Sequence, residues 1–265
     1  MKKFLSMILT VVTVFSIGCF TGCDNKSTGN VSNKSTPTAD NGSSPDATVE
    51  GTPTPDSEIA EMKKAFKEAN VGEYVTFGHY EQDSDTSNGK EEIEWLVLEK
   101  EDDKIFVISK YAFERRPYNM NGESTWENCS LRKWLNSTFI NSAFSADEKA
   151  MILTAAVTAD KNPEYGTNPG NATQDQVFLL SITEAEKYFS SNSARQCTPV
   201  DYAAAEEAFP SNLNKDKISC WWALRSPGSE QYYATGVSSD GSVDYFGVGS
   251  NNESYIRPAM WISTN

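Results

Sequence analysis

Apolar and polar positions alternate most clearly near the end of the chain, over Cys220–Ile262. Trp222 and Leu224 fall on one side of an extended segment there, and Trp221, Ala223 and Arg225 on the other. A period of two is that of a strand, so one set is expected in the core and the other exposed. Val237–Val243 sets Asp240-Gly241, a pair suited to positive φ, between two alternating runs, which predicts a hairpin. Ile256–Ile262 predicts a closing strand in which Pro258 is confined to an edge, a first position or a bulge. The whole stretch reads as four short strands joined by turns.

Upstream, Glu73–His79 alternates like a strand, and Glu92–Leu98 and Lys104–Ser109 flank the turn Glu101–Asp103 as an antiparallel hairpin. Ile59, Met62 and Phe66 recur at helical spacing behind the capping residues Asp56 and Ser57, predicting a short amphipathic helix over residues 57–70, docked on the domain. After Trp126–Asn128, Leu131, Trp134, Leu135 and Phe139 share a helical face, with Arg132 and Lys133 opposite. Ser145–Glu148 and Ser181–Glu184 are capping boxes, each opening a helix. Val177–Leu180 predicts a buried strand, and Thr198 or Pro199 opens a last short helix over Val200–Ala208. Lys161–Gln174 is a Gly/Pro/Asn loop of a length that is usually functional or mobile. Strands, then helices, then strands predict a single α+β domain over residues 71–265, with antiparallel sheets and several short helices.

The first 56 residues are of another kind. Met1–Lys3 is a basic n-region, and the apolar run Phe4–Phe20 is shorter than the ~20 residues a membrane span needs. Phe20-Thr21-Gly22-Cys23 then reads as a lipobox, with residues 1–22 a lipoprotein signal peptide and Cys23 the acylated residue. An ordinary secretory leader and an uncleaved anchor are the alternatives. Ser16–Cys19 is a second possible lipobox, but it would leave the apolar Phe20 beyond the cut. Residues 23–56, rich in Ser, Thr, Asn and Pro, hold too little apolar surface to offset chain entropy and read as a disordered tether. The expected partner is thus the membrane, through an N-terminal lipid on its outer face.

Net charge narrows the partners further. The whole chain carries −14, and removing residues 1–22 takes away Lys2 and Lys3 but no acid. Such a chain repels DNA, RNA and anionic headgroups, which disfavours nucleic acid. Beyond Cys19 and Cys23 the cysteines are Cys129, Cys197 and Cys220. Three thiols allow at most one disulfide, and buried free thiols are the simpler reading.

A longer set of motifs carries a family resemblance. Gly72–Gly78 with Tyr80 and Gln82, Ile93–Leu98, Trp126 with Ser130–Asn136, Val177–Ser181, Trp222–Gly228 and Ile256–Ala259 occur in order. Together they resemble a bacterial domain found across Firmicutes, the domain of unknown function 6273, over about residues 71–263. The chain departs from that pattern at Ala223, which separates Trp222 from Leu224-Arg225-Ser226. The resemblance carries no established activity. Its closing strands are similar to C-type-lectin-like and formylglycine-enzyme-like arrangements, which is analogy of fold alone.

Chemistry is sparse. His79 is the sole histidine, which removes a two-histidine zinc site and leaves a serine triad without spacing to support it. Asp83–Glu94 only faintly resembles a calcium loop, with its glycine one place late and strands as flanks, so neither a metal nor a cofactor is expected. Cys220 invites comparison with the copper-binding cysteine pair of formylglycine-generating enzymes, with Cys197 as the nearest candidate, but no motif surrounds either; a buried strand residue is the simpler reading. Arg225, Ser226 and Arg257 sit in the terminal strands, where an arginine can stack on an indole and bridge to an acid such as Asp240, Asp244 or Glu94. Alternatively, Trp222, Arg225, Tyr232, Tyr233, Asp240, Tyr245, Tyr255 and Arg257 could form a platform for sugar or peptide, although the aromatics could equally belong to the core. The function expected first is non-catalytic binding of a glycan, cell-wall or surface-protein ligand. An enzyme of unrecognised chemistry comes second and a transporter-associated solute-binding lipoprotein third.

Overall fold

In the computed structural model, which describes residues 55–83, 85–158, 160–201, 203 and 219–265, the alternation of the first globular segment becomes β1 (Tyr74–Tyr80). β2 (Glu91–Lys100) and β3 (Lys104–Ser109) form the expected hairpin. The closing strand β12 (Ala259–Ser263) pairs with β3 and with β5 (Ile152–Leu153), giving an antiparallel sheet in the order β1-β2-β3-β12-β5. Pro258 sits just before β12, where its missing N–H costs no ladder bond, and its carbonyl accepts from the Ser109 N–H at 2.9 Å.

Both faces of this sheet are covered. On one, Trp95 and Phe77 pack against Phe144, and Phe66 of helix α1 (Pro55–Glu68) meets Phe77 edge-on with centroids 5.6 Å apart. On the other, Phe106 stacks with Trp261 and Phe178 and touches Tyr188. Ile59 and Met62 of α1 are half-buried against the same core. Thus β3 is buried at every position after Lys104, as a strand covered on both faces must be.

The second sheet runs β10-β9-β8-β11-β4, with β4 (Arg115–Pro117), β8 (Trp222–Pro227), β9 (Tyr233–Val237), β10 (Val243–Gly249) and β11 (Glu253–Tyr255). The terminal stretch therefore contributes five strands rather than four, since Glu253–Tyr255 pairs with the polar segment Arg115–Pro117. The Asp240-Gly241 hairpin is present, with Gly241 at φ 84°. The β8–β9 ladder shifts register between Ala223 and Pro227, the stretch that opens at Ala223, where the chain departs from the motif pattern it otherwise resembles. β6 (Ala155–Val157) and β7 (Thr173–Asp175) pair separately.

The helical middle is more broken than its periodicity predicts. α2 (Ser130–Trp134) passes through a π-helical turn over Leu135–Phe139 into α3 (Ile140–Ala143). Asn136 and Ser137 donate to the carbonyls of Arg132 and Lys133, at 3.1 and 2.6 Å, drawing acceptors from the ladder where it widens. Leu131, Leu135 and Phe139 still face the core. Arg132 is not a spectator of the polar face: its Nε donates to the buried Asp175 at 2.6 Å, and Trp126 Nε1 donates to the other oxygen.

Both capping boxes are formed, opening α4 (Ala146–Met151) and α5 (Ile182–Tyr188). A short helix not expected, α6 (Asn192–Arg195), follows the cap Ser191. Val177–Leu180 is fully buried but is no strand; Phe178 makes a single bridge to Ala259. The signal peptide, Cys23, the tether to residue 54 and most of the predicted helix at Val200–Ala208 lie outside the described residues.

Candidate functional site

Four loops meet at one end of the second sheet. Asn162 anchors the first: its buried amide donates to the carbonyls of Pro227 and Tyr245, at 3.0 and 2.8 Å, and its oxygen accepts from the N–H groups of Glu164 and Tyr165. Thr167 adds a bond to Gly228 at 2.7 Å. Gln231, in the β8–β9 loop, donates to the carbonyls of Ser124 and Asn168, both at 3.0 Å. The Ser250 N–H donates to the Tyr232 carbonyl at 2.8 Å, and Asn119 donates in turn to Ser250. So Lys161–Gln174, expected to be functional or mobile, is stitched to its neighbours by side-chain amides and hydroxyls.

Those loops hold an arc of aromatic rings at the surface. Tyr165 meets Phe246 edge-on at 6.2 Å between centroids, Phe246 meets Tyr233 at 5.2 Å, and Tyr233 meets Tyr232 at 4.8 Å. Tyr165, Tyr232 and Phe246 remain 47%, 44% and 53% exposed, although ring after ring elsewhere in the domain is buried. The exposure of Phe246 is built in. Gly247, at φ 82°, makes a bulge in β10 where a Cβ would lie 2.3 Å from the Ala234 carbonyl oxygen, and Asp244 accepts its N–H at 3.0 Å. Such a bulge re-aims the neighbouring side chain. Gly228 lets the arc close, because a Cβ there would meet Tyr233 and the Phe246 carbonyl at 2.5 and 2.6 Å.

Beside the arc lies an open groove of ≈ 430 Å³ lined by Gly122, Tyr232, Tyr233, Gly249, Ser250, Asn251 and Asn252. The Tyr232 phenol is held above its ordinary pKa, chiefly by a hydrogen bond to Glu230, and stays a donor well into alkaline solution. Rings, amides and backbone thus share one shallow surface. It offers stacking faces and fixed hydrogen-bonding groups.

The residues singled out from sequence divide between this surface and the interior. Tyr233 is half-buried within the arc. Asp240 is exposed at the far hairpin, where its carboxylate accepts from the Ser242 N–H and hydroxyl and is held below its usual pKa by them. Tyr245 donates to Glu186, and that bond, with some burial, pushes its phenol up to about 12.

Trp222, which the sequence left open between stacking surface and core, is wholly buried, because β8 is covered on both faces. Its indole N–H donates to the Arg195 carbonyl at 3.1 Å. Arg225 is buried and forms a bidentate pair with Glu184, not with Asp240, Asp244 or Glu94. Ser226 accepts the Ile182 N–H at 3.0 Å, tying β8 to the first turn of α5. Tyr255 is buried as well. Arg257 is a third interior residue, sandwiched between Phe189 and Trp222.

The remaining candidates add no second site. His79 is exposed on β1. In the acidic loop, Glu94 pairs with Lys110 at 2.6 Å, while Asp83 and Asp85 oxygens accept from their own turn. Carboxylate oxygens of Glu81, Asp83 and Glu91 lie within 4.8 Å of one another, a different trio from the one a calcium loop would use.

The fold is thus an α+β domain of two five-stranded sheets and a two-stranded one, carrying a surface arc of aromatic rings. By sequence the chain belongs to the family described as domain of unknown function (DUF6273), whose model matches residues 102–264. The match begins at the β2–β3 turn, so the Gly72–Leu98 motifs precede it. No curated protein and no solved structure matches the chain.

Proposed function

We propose that the chain is a lipid-anchored binding protein on the outer face of the cell membrane that holds a glycan or cell-wall fragment without transforming it. The observation that carries this reading is the arc of Tyr165, Phe246, Tyr233 and Tyr232 bordering a groove with Asn251 and Asn252. Aromatic faces stack on the apolar faces of sugar rings, and amides beside them fix hydroxyls. Soluble domains rarely leave contiguous aromatic surface exposed without a partner. The lipobox ending at Cys23 and the polar tether after it supply the anchor and the reach.

The test is a thermal-shift screen of the purified full chain against soluble peptidoglycan fragments and neutral oligosaccharides. A ligand at one hundred times its dissociation constant adds about 2.7 kcal/mol to stability, which a melting curve resolves. Tyr232→Ala and Phe246→Ala, both at exposed positions, are expected to keep the fold and weaken binding roughly tenfold each, about 1.4 kcal/mol. A shift that survives both substitutions moves the site elsewhere. No shift from either ligand class overturns the proposal.

A further inference from the structure

Behind the second sheet, away from the aromatic arc and independent of its role, two thiols and one guanidinium share a buried site. Cys197 follows α6 and Cys220 precedes β8, and the Cys220 N–H donates to the Cys197 carbonyl at 2.8 Å. Backbones that close are within the range a disulfide spans. Both cysteines are free and buried. Arg257 is 3% exposed; its Nε donates to the Ser109 carbonyl at 2.9 Å, and its carbon lies 5.1 and 5.2 Å from the Trp222 and Phe189 ring centroids. Its Nη1 is buried without a hydrogen-bond partner, and no carboxylate pairs with it among the described residues. A buried cation without an anion is costly. The thiol pair is where that anion can form.

We propose that Cys197 and Cys220 form a reversible dithiol–disulfide couple, and that Arg257 is a positioning residue that stabilises its reduced form as the Cys197 thiolate. The electrostatics support the assignment. Burial alone would push the Cys197 thiol up, but the hydrogen bond from Cys220 and the Arg257 charge outweigh it and bring it down to about 7. Cys220, as donor of that hydrogen bond, goes the opposite way. At Cys129 burial outweighs the backbone hydrogen bonds, the Arg132 charge and the Tyr118 hydroxyl, and drives the thiol up to about 12.

The oxidant is a low-molecular-weight disulfide. The Cys197 thiolate attacks one of its sulfurs, its S–S bond breaks, and one small thiolate leaves and takes a proton. Cys220 then gives up its proton and attacks Cys197 in the mixed disulfide, expelling the second small thiol. Starting from the Cys197 thiolate and the Cys220 thiol, the chain loses two electrons and one proton, the second proton comes from solvent, and two small thiols are made. Because both sulfurs are buried, exchange runs through transient opening and is read as an equilibrium.

Full-length chain equilibrated in glutathione buffers of stepped reduced-to-oxidised ratio is quenched in acid, unfolded, alkylated and mapped by mass spectrometry. The expected result is one two-electron transition that bridges Cys197 to Cys220 and leaves Cys129 alkylated. Arg257→Met is expected to favour the disulfide about tenfold, moving the midpoint about 30 mV more negative. Arg257→Lys keeps the charge and is expected to stay within twofold of wild type. No bridge at the most oxidising ratio, adducts with glutathione alone, or a bridge through Cys129 overturns the proposal. So does an unmoved midpoint in folded Arg257→Met; should that variant not fold, a midpoint moved tenfold in Arg257→Lys overturns the role of Arg257.

Discussion

Arg225→Ala tests what holds the two halves of the domain together. The side chain is 2% exposed and donates to four acceptors: both carboxylate oxygens of Glu184, the Leu179 carbonyl at 2.8 Å and the Thr158 carbonyl at 3.2 Å. Its backbone adds two bonds, to the Leu180 carbonyl and from the Tyr118 hydroxyl. Removing the guanidinium leaves Glu184 without its cation and the buried Leu179 carbonyl without a donor, while the carbonyl of the exposed Thr158 can turn to water. Breaking a buried pair by deleting one partner costs about 3–5 kcal/mol. Glu184 is 26% exposed and still caps α5, which offsets part of that loss, while the abandoned Leu179 carbonyl adds about 1 kcal/mol. The net expectation is about 4 kcal/mol, or a melting point lower by roughly 8–16 °C for a domain of this size. Urea unfolding followed by tryptophan fluorescence reads it directly, with Arg225→Met as the variant that keeps the volume. In a cycle with Glu184→Gln the double variant should recover part of the sum of the singles. A loss below about 1 kcal/mol, or strict additivity in the cycle, would refute the reasoning.

Two other perturbations bear on the same frame. Gly241→Ala places a Cβ 1.7 Å from the Asn192 carbonyl oxygen at φ 84°, so thermal unfolding should show a loss of about 2–3 kcal/mol, against about 1 kcal/mol for Gly166→Ala, which has positive φ but open space. In the reduced chain Cys197 has a folded pKa near 7, below the ordinary 9.0, so the unfolded state binds more protons between those values. Its contribution to stability is therefore present above pH 9 and lost as pH falls through 7. Urea midpoints measured from pH 6 to 8.5 should rise more steeply for wild type than for Cys197→Ala, and parallel slopes would remove the thiolate.

Much of the frame is legible because it rests on local rules. β1, β2 and β3 follow from alternation, both capping boxes from a serine three residues before a glutamate, and the far hairpin from Asp240-Gly241. The exceptions are positions where tertiary placement decides. Alternation in Trp221–Arg225 predicts one exposed face, but β8 lies at the centre of its sheet and is covered on both. Val177–Leu180 has the composition of a buried strand, yet β12 already has β3 and β5 as its ladder partners, which leaves Phe178 a single bridge. Arg115–Pro117 is polar and three residues long, so nothing local marks it as β4. For the surface arc, Tyr232 and Tyr233 are visible as aromatics near a turn. Phe246 is not, because its exposure depends on the bulge at Gly247 and on how closely β9 approaches. The one available signal for Tyr165 is its place in the long Gly/Pro/Asn loop.

The two motif arginines look equivalent in sequence, each in a terminal stretch among tryptophans, and the interior treats them oppositely. Arg225 has an acid contributed by a capping box, so a residue that ends the orphan donors of α5 also neutralises β8. Its charge is fully absorbed by the frame, and nothing of it is left for a ligand. Arg257 receives two aromatic faces and one carbonyl, which stabilise a cation but do not neutralise it. A fold that needed only packing at that position could use Met or Leu, since replacing a buried charge by a well-packed apolar side chain is often neutral or stabilising. Among the described residues no carboxylate meets this guanidinium, and Cys197 is the neighbour poised to carry negative charge beside it. The same comparison separates the two tests. Loss of Arg225 should be read in stability, whereas loss of Arg257 should be read in the thiol–disulfide equilibrium more than in the melting point.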